Sequence, residues 1–401
     1  MRKILTVSAL VLFGAIEAYA VSLPAPSYSV TDLGVLPGYR SIRGSSINLL
    51  GQVTGTCSDG ISFAYRFSHV FLYQGGKLTD LGALYFNYLN ATTGTLLDAQ
   101  PNSEGLMINI KGEVVFLFSA PDAYEREGSL PVLYRNGSFT TLFAYPNGYG
   151  GDVAGLNDFG QIAGGINVGK GANAINFGGD IERDYYSYIT QPNGAFVVLP
   201  DFGPPNPVTG NPRNLKVQGL TDWGQAYGVI ETGSTTQIAG STYNLVEELI
   251  VSAYGQPVKL GTVVEGGLLV FNQRGDFVDQ SKIAMLPGNP VPFFPPVLHL
   301  GNKTIQLDPP PGTATLTNPV YTTLAINDFD TVVGYLTDAA SGATLPFLYT
   351  NGKTYDPNTL VSTSLHIDEL VGINDAGQIL ANAFDPVTGY GHTLILNPRS
   401  R

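Results

Sequence analysis

The chain has 401 residues, a net charge of −12 and only 13% charged residues, with 49 glycines, 27 prolines and one cysteine. An acidic balance argues against nucleic acid or an anionic membrane surface as partner, and a lone cysteine rules out an internal disulfide or a CxxC metal site. Gly, Pro, Thr, Asn and Tyr in place of Glu/Lys/Ala runs point to an all-β protein, with no convincing amphipathic helix.

Residues 1–20 read as a secretory signal. Arg2 and Lys3 form the charged start, Ile4 to Ile16 the apolar run, and Ala18-Tyr19-Ala20 the small-x-small cleavage site. The apolar run is short for a membrane span, and no later segment has eighteen consecutive apolar residues. The expected product is an exported, soluble and monomeric chain over 21–401. Losing two cations and one anion with the leader leaves it at −13.

One phrase recurs through this product. It reads SINLLGQVTG at 46–55, MINIKGEVVF at 107–116, GLNDFGQIAG at 155–164 and GLTDWGQAYG at 219–228. It returns as VFNQRGDFVD at 270–279, AINDFDTVVG at 325–334 and GINDAGQILA at 372–381. The anchors are Asn48, Asn109, Asn157, Thr221, Asn272, Asn327 and Asn374, at a mean spacing of about 54 residues. In each copy an apolar residue precedes the anchor, whose side chain caps a tight turn, and a glycine three positions later supplies a positive φ. Asp330 stands in for that glycine in the sixth copy, and Asp tolerates the same region. No copy has the carboxylate count of a calcium loop, so the phrase reads as a hairpin turn.

After each copy comes a second hairpin, clearest as His69-Val70-Phe71-Leu72-Tyr73, the turn Gln74-Gly75-Gly76, then Lys77-Leu78-Thr79-Asp80. Asn136-Gly137, Asn193-Gly194 and Asn351-Gly352 mark the same turn elsewhere. Two hairpins per repeat make a four-stranded blade, and a period near 50 suits a propeller. The last copy is followed by His392-Thr393-Leu394-Ile395-Leu396 and then lacks a fourth strand. The segment at 28–35 matches the missing strand, so one N-terminal and three C-terminal strands close the ring and hide its edges. The expected architecture is a seven-bladed β-propeller of four-stranded antiparallel blades. They run roughly over 42–84, 104–143, 152–200, 216–261, 267–308, 322–360 and 369–397.

The phrases YSVTDLG at 28–34, SINLLGQVTG, HVFLYQGGKLTDLG at 69–82 and GINDAGQIL at 372–380 resemble the HAF repeats of extracellular bacterial proteins, across nearly the whole exported chain. The eponymous His-Ala-Phe becomes His69-Val70-Phe71 in the first blade and His392-Thr393-Leu394 in the last, which marks a divergent member. The resemblance implies secretion and a repeat fold; it brings no activity or catalytic residues.

Function is less legible. Connections from strand 1 to 2 and 3 to 4 lie on one face and are tight turns. The others, near 85–105, 117–129, 165–184, 202–216, 229–245, 280–295 and 309–323, are long and lie on the opposite face, where binding residues are expected. They carry Tyr85, Tyr88, Tyr124, Tyr149 and Tyr185 among Asp122, Asp152 and Asp184, a mixture suited to stacking on sugar rings and bonding hydroxyls. The same composition also suits exposed loops of a Gly-rich extracellular protein. Carboxylates such as Glu104, Asp122, Asp152, Asp184 and Asp201 open the alternative of a hydrolase or lyase at the channel mouth. Nothing in the sequence favours convergence of Arg43, Arg66, Arg126 and Arg183 on an anion. No HExxH, GxSxG, GxxxxGK or CxxC sequence occurs, no cofactor is expected, and His69, His299 and His392 fall on third strands as packed or turn-bonded residues. The expectation is a non-catalytic module that binds a polysaccharide or a surface protein, with a carbohydrate-active enzyme as the alternative.

Overall fold

The computed structural model describes residues 24–59, 68–85, 87, 102–119, 130–142, 151–169, 183–205, 213–238, 241–265, 268–279, 284–285, 292–293, 295–313, 319–338 and 341–399. The segment read as a signal lies outside them. Among them are seven four-stranded antiparallel sheets, each following chain order except one. The chain is a seven-bladed β-propeller.

Blade 1 is β2 (Ser41–Ile47), β3 (Val53–Ser58), β4 (Ser68–Gln74) and β5 (Lys77–Asp80). Blade 2 is β6 (Asn102–Ile108), β7 (Val114–Ser119), β8 (Leu130–Arg135) and β9 (Ser138–Thr141). Blade 3 is β10 (Gly151–Leu156), β11 (Ile162–Gly169), β12 (Arg183–Thr190) and β13 (Phe196–Val198). Blade 4 is β14 (Lys216–Leu220), β15 (Gln225–Ile238), β16 (Ser241–Ser252) and β17 (Val258–Val264). Blade 5 is β18 (Leu269–Phe271), β19 (Phe277–Asp279), β22 (Val297–Leu300) and β23 (Lys303–Gln306), with a two-stranded ladder of β20 (Ala284–Met285) and β21 (Pro292–Phe293) between its halves. Blade 6 is β24 (Pro319–Ile326), β25 (Val332–Asp338), β26 (Thr344–Thr350) and β27 (Lys353–Tyr355).

Blade 7 joins β28 (His366–Ile373), β29 (Ile379–Phe384) and β30 (Gly391–Pro398) to β1 (Tyr28–Asp32), in the order β1-β30-β29-β28. The register runs from Tyr28 opposite Pro398 to Asp32 opposite Leu394. The N-terminal strand thus closes the ring as expected.

First strands of consecutive blades touch all the way round, β2 against β6 and on to β28 against β2, which makes them the innermost strands. Six of them carry a one-residue bulge, at Gly44/Ser46, Gly105/Met107, Val153/Gly155, Val217/Gly219, Thr323/Ala325 and Leu370/Gly372. Each bulge bends the strand as it enters the turn. The glycines there allow close approach: a Cβ at Gly105 would sit 2.5 Å from the Gly55 carbonyl oxygen, in blade 1.

The core lies between blades. Apolar clusters fill the seams 1/2 (Val70, Phe116), 2/3 (Val115, Tyr188), 3/4 (Ile189, Leu249), 5/6 (Leu298, Phe347), 6/7 (Leu348, Ile367) and 7/1 (Leu380, Phe71). Cys57 is fully buried in the 7/1 cluster, and burial pushes its thiol up to about 12, which makes it an inert packing residue.

Two expectations need correction. The connection at 229–245 is not an irregular loop: β15 and β16 continue into a long hairpin, paired from Gln225/Ser252 out to Ile238/Ser241 across an irregularity at Glu231/Thr235. Thr232, Thr235, Thr236 and Thr242 there suit an exposed two-stranded ribbon. Tyr85 is not an exposed loop residue either. Residues 81–85 wind into a helical turn, and the Tyr85 ring is fully buried against Phe116, Phe118 and Phe139. Its hydroxyl reaches Thr141 Oγ1 at 2.8 Å, so the aromatic is spent on the 1/2 seam.

Candidate functional site

The turn face is built from the recurring phrase, and its geometry repeats closely. The anchor Oδ1 of Asn48, Asn109, Asn157, Asn272 and Asn327 accepts from the backbone N–H two and four residues on, as in Leu50 and Gln52 at 3.0 Å. The residue three positions after each anchor has positive φ, from Gly51 at 71° to Asp330 at 58°. Asp330 therefore does occupy the left-handed region.

The anchor amide also works outward. Asn48 Nδ2 donates to the Asn109 carbonyl, Asn109 to Asn157, Asn157 to Thr221, Asn272 to Asn327, Asn327 to Asn374, and Asn374 back to Asn48. Six side-chain bonds so link one blade to the next around the axis. The step from blade 4 to blade 5 is missing because Thr221 has no side-chain amide: its hydroxyl, attached directly to Cβ, accepts from its own turn and lacks the longer arm that carries an Nδ2 donor to the next anchor's carbonyl. A second circuit runs beside the first. The carboxylates of Asp158, Asp222, Asp328 and Asp375, with the Gln273 amide, each accept from the backbone N–H of the residue after the preceding anchor. Burial raises the Asp222 carboxyl, and its neighbours Asp158, Asp328 and Asp375 add to the rise. The Asp of Asn-Asp-x-Gly is thus a cap for the neighbouring blade, a role that a single copy does not reveal.

On the other half of the channel the innermost strands present charged residues five positions before their anchors: Arg43, Glu104, Asp152, Lys216 and Glu369. Arg43 is ion-paired with Glu369 across the 7/1 seam, the arginine side chain 58% exposed and the glutamate 8%. Asn382 on β29 ties the pair down: its Oδ1 accepts from Gly44 N–H at 2.8 Å and its Nδ2 donates to the Gly44 carbonyl at 3.1 Å. Blade 7 has a second bulge, at Ile367/Glu369, and Asp368 is its extra residue. Asp368 Oδ1 is buried without a hydrogen-bond partner. Burial, then the adjacent Glu369, raises the Asp368 carboxyl from its ordinary value, and the same two causes raise the Tyr335 hydroxyl nearby. A carboxyl held toward its protonated form beside a carboxylate paired to arginine can donate and accept protons within one wall.

The expected site residues divide as follows. Asp152 lies exposed on innermost strand β10 and accepts from Gly165 N–H at 2.5 Å. Asp184 and Tyr185 are on β12, paired with Val168 and Asn167 at the long-loop end. Tyr88, Asp122, Tyr124 and Tyr149 lie outside the described residues, as do Arg66 and Arg126. Tyr85 belongs to the core. Arg43 is engaged by Glu369. Asp368, Glu369 and Tyr335 were not singled out from sequence; the double bulge that aims them has no sequence signature beyond the consecutive Asp-Glu.

Three of the four histidines are bonded to carboxylates. His69 Nδ1 is 2.8 Å from Asp80 Oδ2, and His392 Nδ1 is 2.9 Å from Asp32 Oδ2. Each pair joins a third strand to the Asp of the Thr-Asp-Leu-Gly fourth strand, within one hairpin in blade 1 and across the ring closure in blade 7. His299 differs: its partner is Asp279 of β19, at 3.3 Å.

No family model matches the sequence, and no curated relative matches it. Solved structures do. The β-propeller domain of the Trilobed protease from Pyrococcus furiosus, described as having an open velcro topology, aligns with a TM-score of 0.52 at 8% identity, over 90% of this chain and 97% of that one. The acylaminoacyl peptidase of Pyrococcus horikoshii aligns with a TM-score of 0.50 at 8% identity, over 92% of this chain and 53% of the enzyme. At such identity the likeness shows the propeller fold alone.

Proposed function

We propose that the chain is an exported, non-catalytic binding module, a divergent HAF-repeat protein, that holds a polysaccharide on its long-loop face. One observation carries this reading: the turn face is closed by six inter-blade asparagine bonds, while the long-loop half of the channel offers Arg43, Glu104, Asp152 and Lys216 as exposed polar residues. Tyr186, exposed on β12, adds an aromatic face on the same half. Guanidinium, ammonium and carboxylate groups on a rigid wall take sugar hydroxyls as donors and acceptors, and a ring offers stacking. Localisation outside the cytoplasm rests on the signal at 1–20 and the repeat resemblance.

A second reading has its own support. The raised Asp368 carboxyl beside Glu369 is the kind of divided pair that a glycan hydrolase or lyase uses as acid and base. One screen separates the two. Purified protein is presented with a panel of charged and neutral polysaccharides, and retention and release of reducing or unsaturated ends are measured together. Retention without product, weakened by Arg43→Ala or Asp152→Ala, supports the binding module. Product lost in Asp368→Asn supports the enzyme, and neither retention nor product across the panel sinks both.

A further inference from the structure

The seam between blades 4 and 5 differs from the other six. Among the described residues it lacks the apolar cluster that fills each of the others. It is also the step at which Thr221 interrupts the asparagine circuit. What joins the blades instead is polar or peripheral: Trp223 Nε1 to the Gln273 carbonyl at 3.0 Å, Leu269 N–H to Gln218 Oε1 at 2.9 Å, and Tyr227 against Phe271 at 4.7 Å between ring centroids.

A cavity of about 440 Å³ opens in this seam. Apolar walls run from Leu245 and Leu260 of blade 4 to Phe277 of blade 5, and the polar lining is Glu248, Thr262, Asp279 and His299. Glu248 and Asp279 are each only 4% exposed. Asp279 holds His299, whose ring stacks on Phe277 at 4.3 Å and 5°. Among the described residues, Glu248 makes no side-chain hydrogen bond or ion pair, and no Lys or Arg lines the cavity. Lys259, on the strand that supplies Leu260 to Val264, is committed to Glu247 at 2.8 Å.

A buried carboxyl without a cation is costly, and the site relieves this by holding the proton: burial, then Asp279, raises Glu248 to about 8. A ligand that brings its own positive charge removes the need for that proton. A bare metal ion fits poorly, since no group of three His, Cys, Asp or Glu among the described residues is placed to hold one. The walls favour a hydrocarbon body. We infer that the blade 4/5 cavity is a binding site for a primary alkylammonium ion, its nitrogen between Glu248 and Asp279 and its alkyl chain against Leu245, Leu260 and Phe277. This site is separate from the channel and does not depend on the polysaccharide reading. Binding at neutral pH displaces the Glu248 proton to solvent as the ammonium takes its place.

The test is calorimetric titration of the full exported chain with n-butylammonium chloride at pH 7, in two buffers of different ionisation enthalpy. Neutral n-butanol and sodium chloride serve as controls. Expected are saturable binding of n-butylammonium alone, release of close to one proton per ligand, and at least tenfold weaker binding in Glu248→Gln. Asp279→Asn, which leaves Glu248 in place, gives a second, smaller loss. Equal heats from n-butanol and n-butylammonium, binding without proton release, or unchanged affinity in a folded Glu248→Gln protein would each overturn the assignment.

Discussion

The side-chain amide of Asn374 donates to the carbonyl oxygen of Asn48 at 2.9 Å, joining the last blade to the first across 326 residues of chain. The same bond recurs between five other pairs of blades and stops at Thr221. A threonine hydroxyl caps its own turn at Gln225 N–H, 3.3 Å away, and leaves the Asn272 carbonyl without the donor its counterparts receive. Replacing Thr221 with asparagine supplies both functions at a position whose turn already has the common geometry, including Gly224 at φ 71°. Thr221→Asn is expected to stabilise the protein by about 1 kcal/mol, one net buried hydrogen bond. Asn374→Ala is expected to destabilise by about 1–3 kcal/mol, because buried N–H and C=O groups lose their partner. Urea unfolding of both variants checks this, and a Thr221→Asn midpoint at or below wild type rejects the circuit as a source of stability.

Closure by β1 carries a second expectation. The strand is paired along Tyr28–Asp32 with β30, and Tyr28 N–H also bonds the Leu360 carbonyl at 3.1 Å. Without it the outer edge of β30 presents unpaired backbone groups beside buried Leu394 and Leu396. Deleting residues 28–34 from the exported chain should lower the unfolding temperature and produce aggregates in sedimentation velocity. A monodisperse variant with wild-type melting would count against closure as a stabilising device.

Much of this was legible because propeller geometry writes itself locally. A turn that needs an Asx cap and a positive φ must show Asn and Gly at fixed offset, so seven copies, and hence seven blades, were visible at Asn48 to Asn374. The missing fourth strand of the last blade likewise predicts the role of Tyr28–Asp32. What stayed hidden depends on relations between blades. The Asp158 carboxylate looks like part of its own turn, yet it caps Ile110 N–H of the preceding blade at 2.8 Å. Tyr85 reads as a loop aromatic until the second blade's Phe116 and Phe118 close over it. The hairpin of β15 and β16 was hidden by its Gly-Ser-Thr-Thr content, which suits loop and exposed ribbon equally. Glu248 and Asp279 are separated by about thirty residues and meet only because the blades do.

The pair of Arg43 and Glu369 makes a third expectation. Breaking a fully buried pair from one side costs about 3–5 kcal/mol, and the half-exposed arginine reduces this to about 2 kcal/mol for Arg43→Ala. Glu369→Gln in the same background removes the stranded charge and should recover most of the loss. A double-mutant cycle by chemical unfolding reads the coupling, and strictly additive losses would show that the pair is not coupled.

Glu248 gives the fourth. Its carboxyl titrates near 4.5 when unfolded and at about 8 when folded, so the folded state binds the proton more tightly. Between these values the unfolded chain holds fewer protons than the native one, and stability must fall as pH rises, in full effect above about 8. The deprotonated carboxylate is then buried beside Asp279, with only His299 of opposite potential charge among the described lining residues. The loss attributable to this group between pH 5 and pH 9 is on the order of 3 kcal/mol. Glu248→Gln removes the titration while keeping the shape, so its stability should decline less over the same interval. Unfolding curves for both proteins at pH 5, 7 and 9 decide the matter: parallel declines would place the carboxyl in contact with water and remove the electrostatic basis for a cation in the seam.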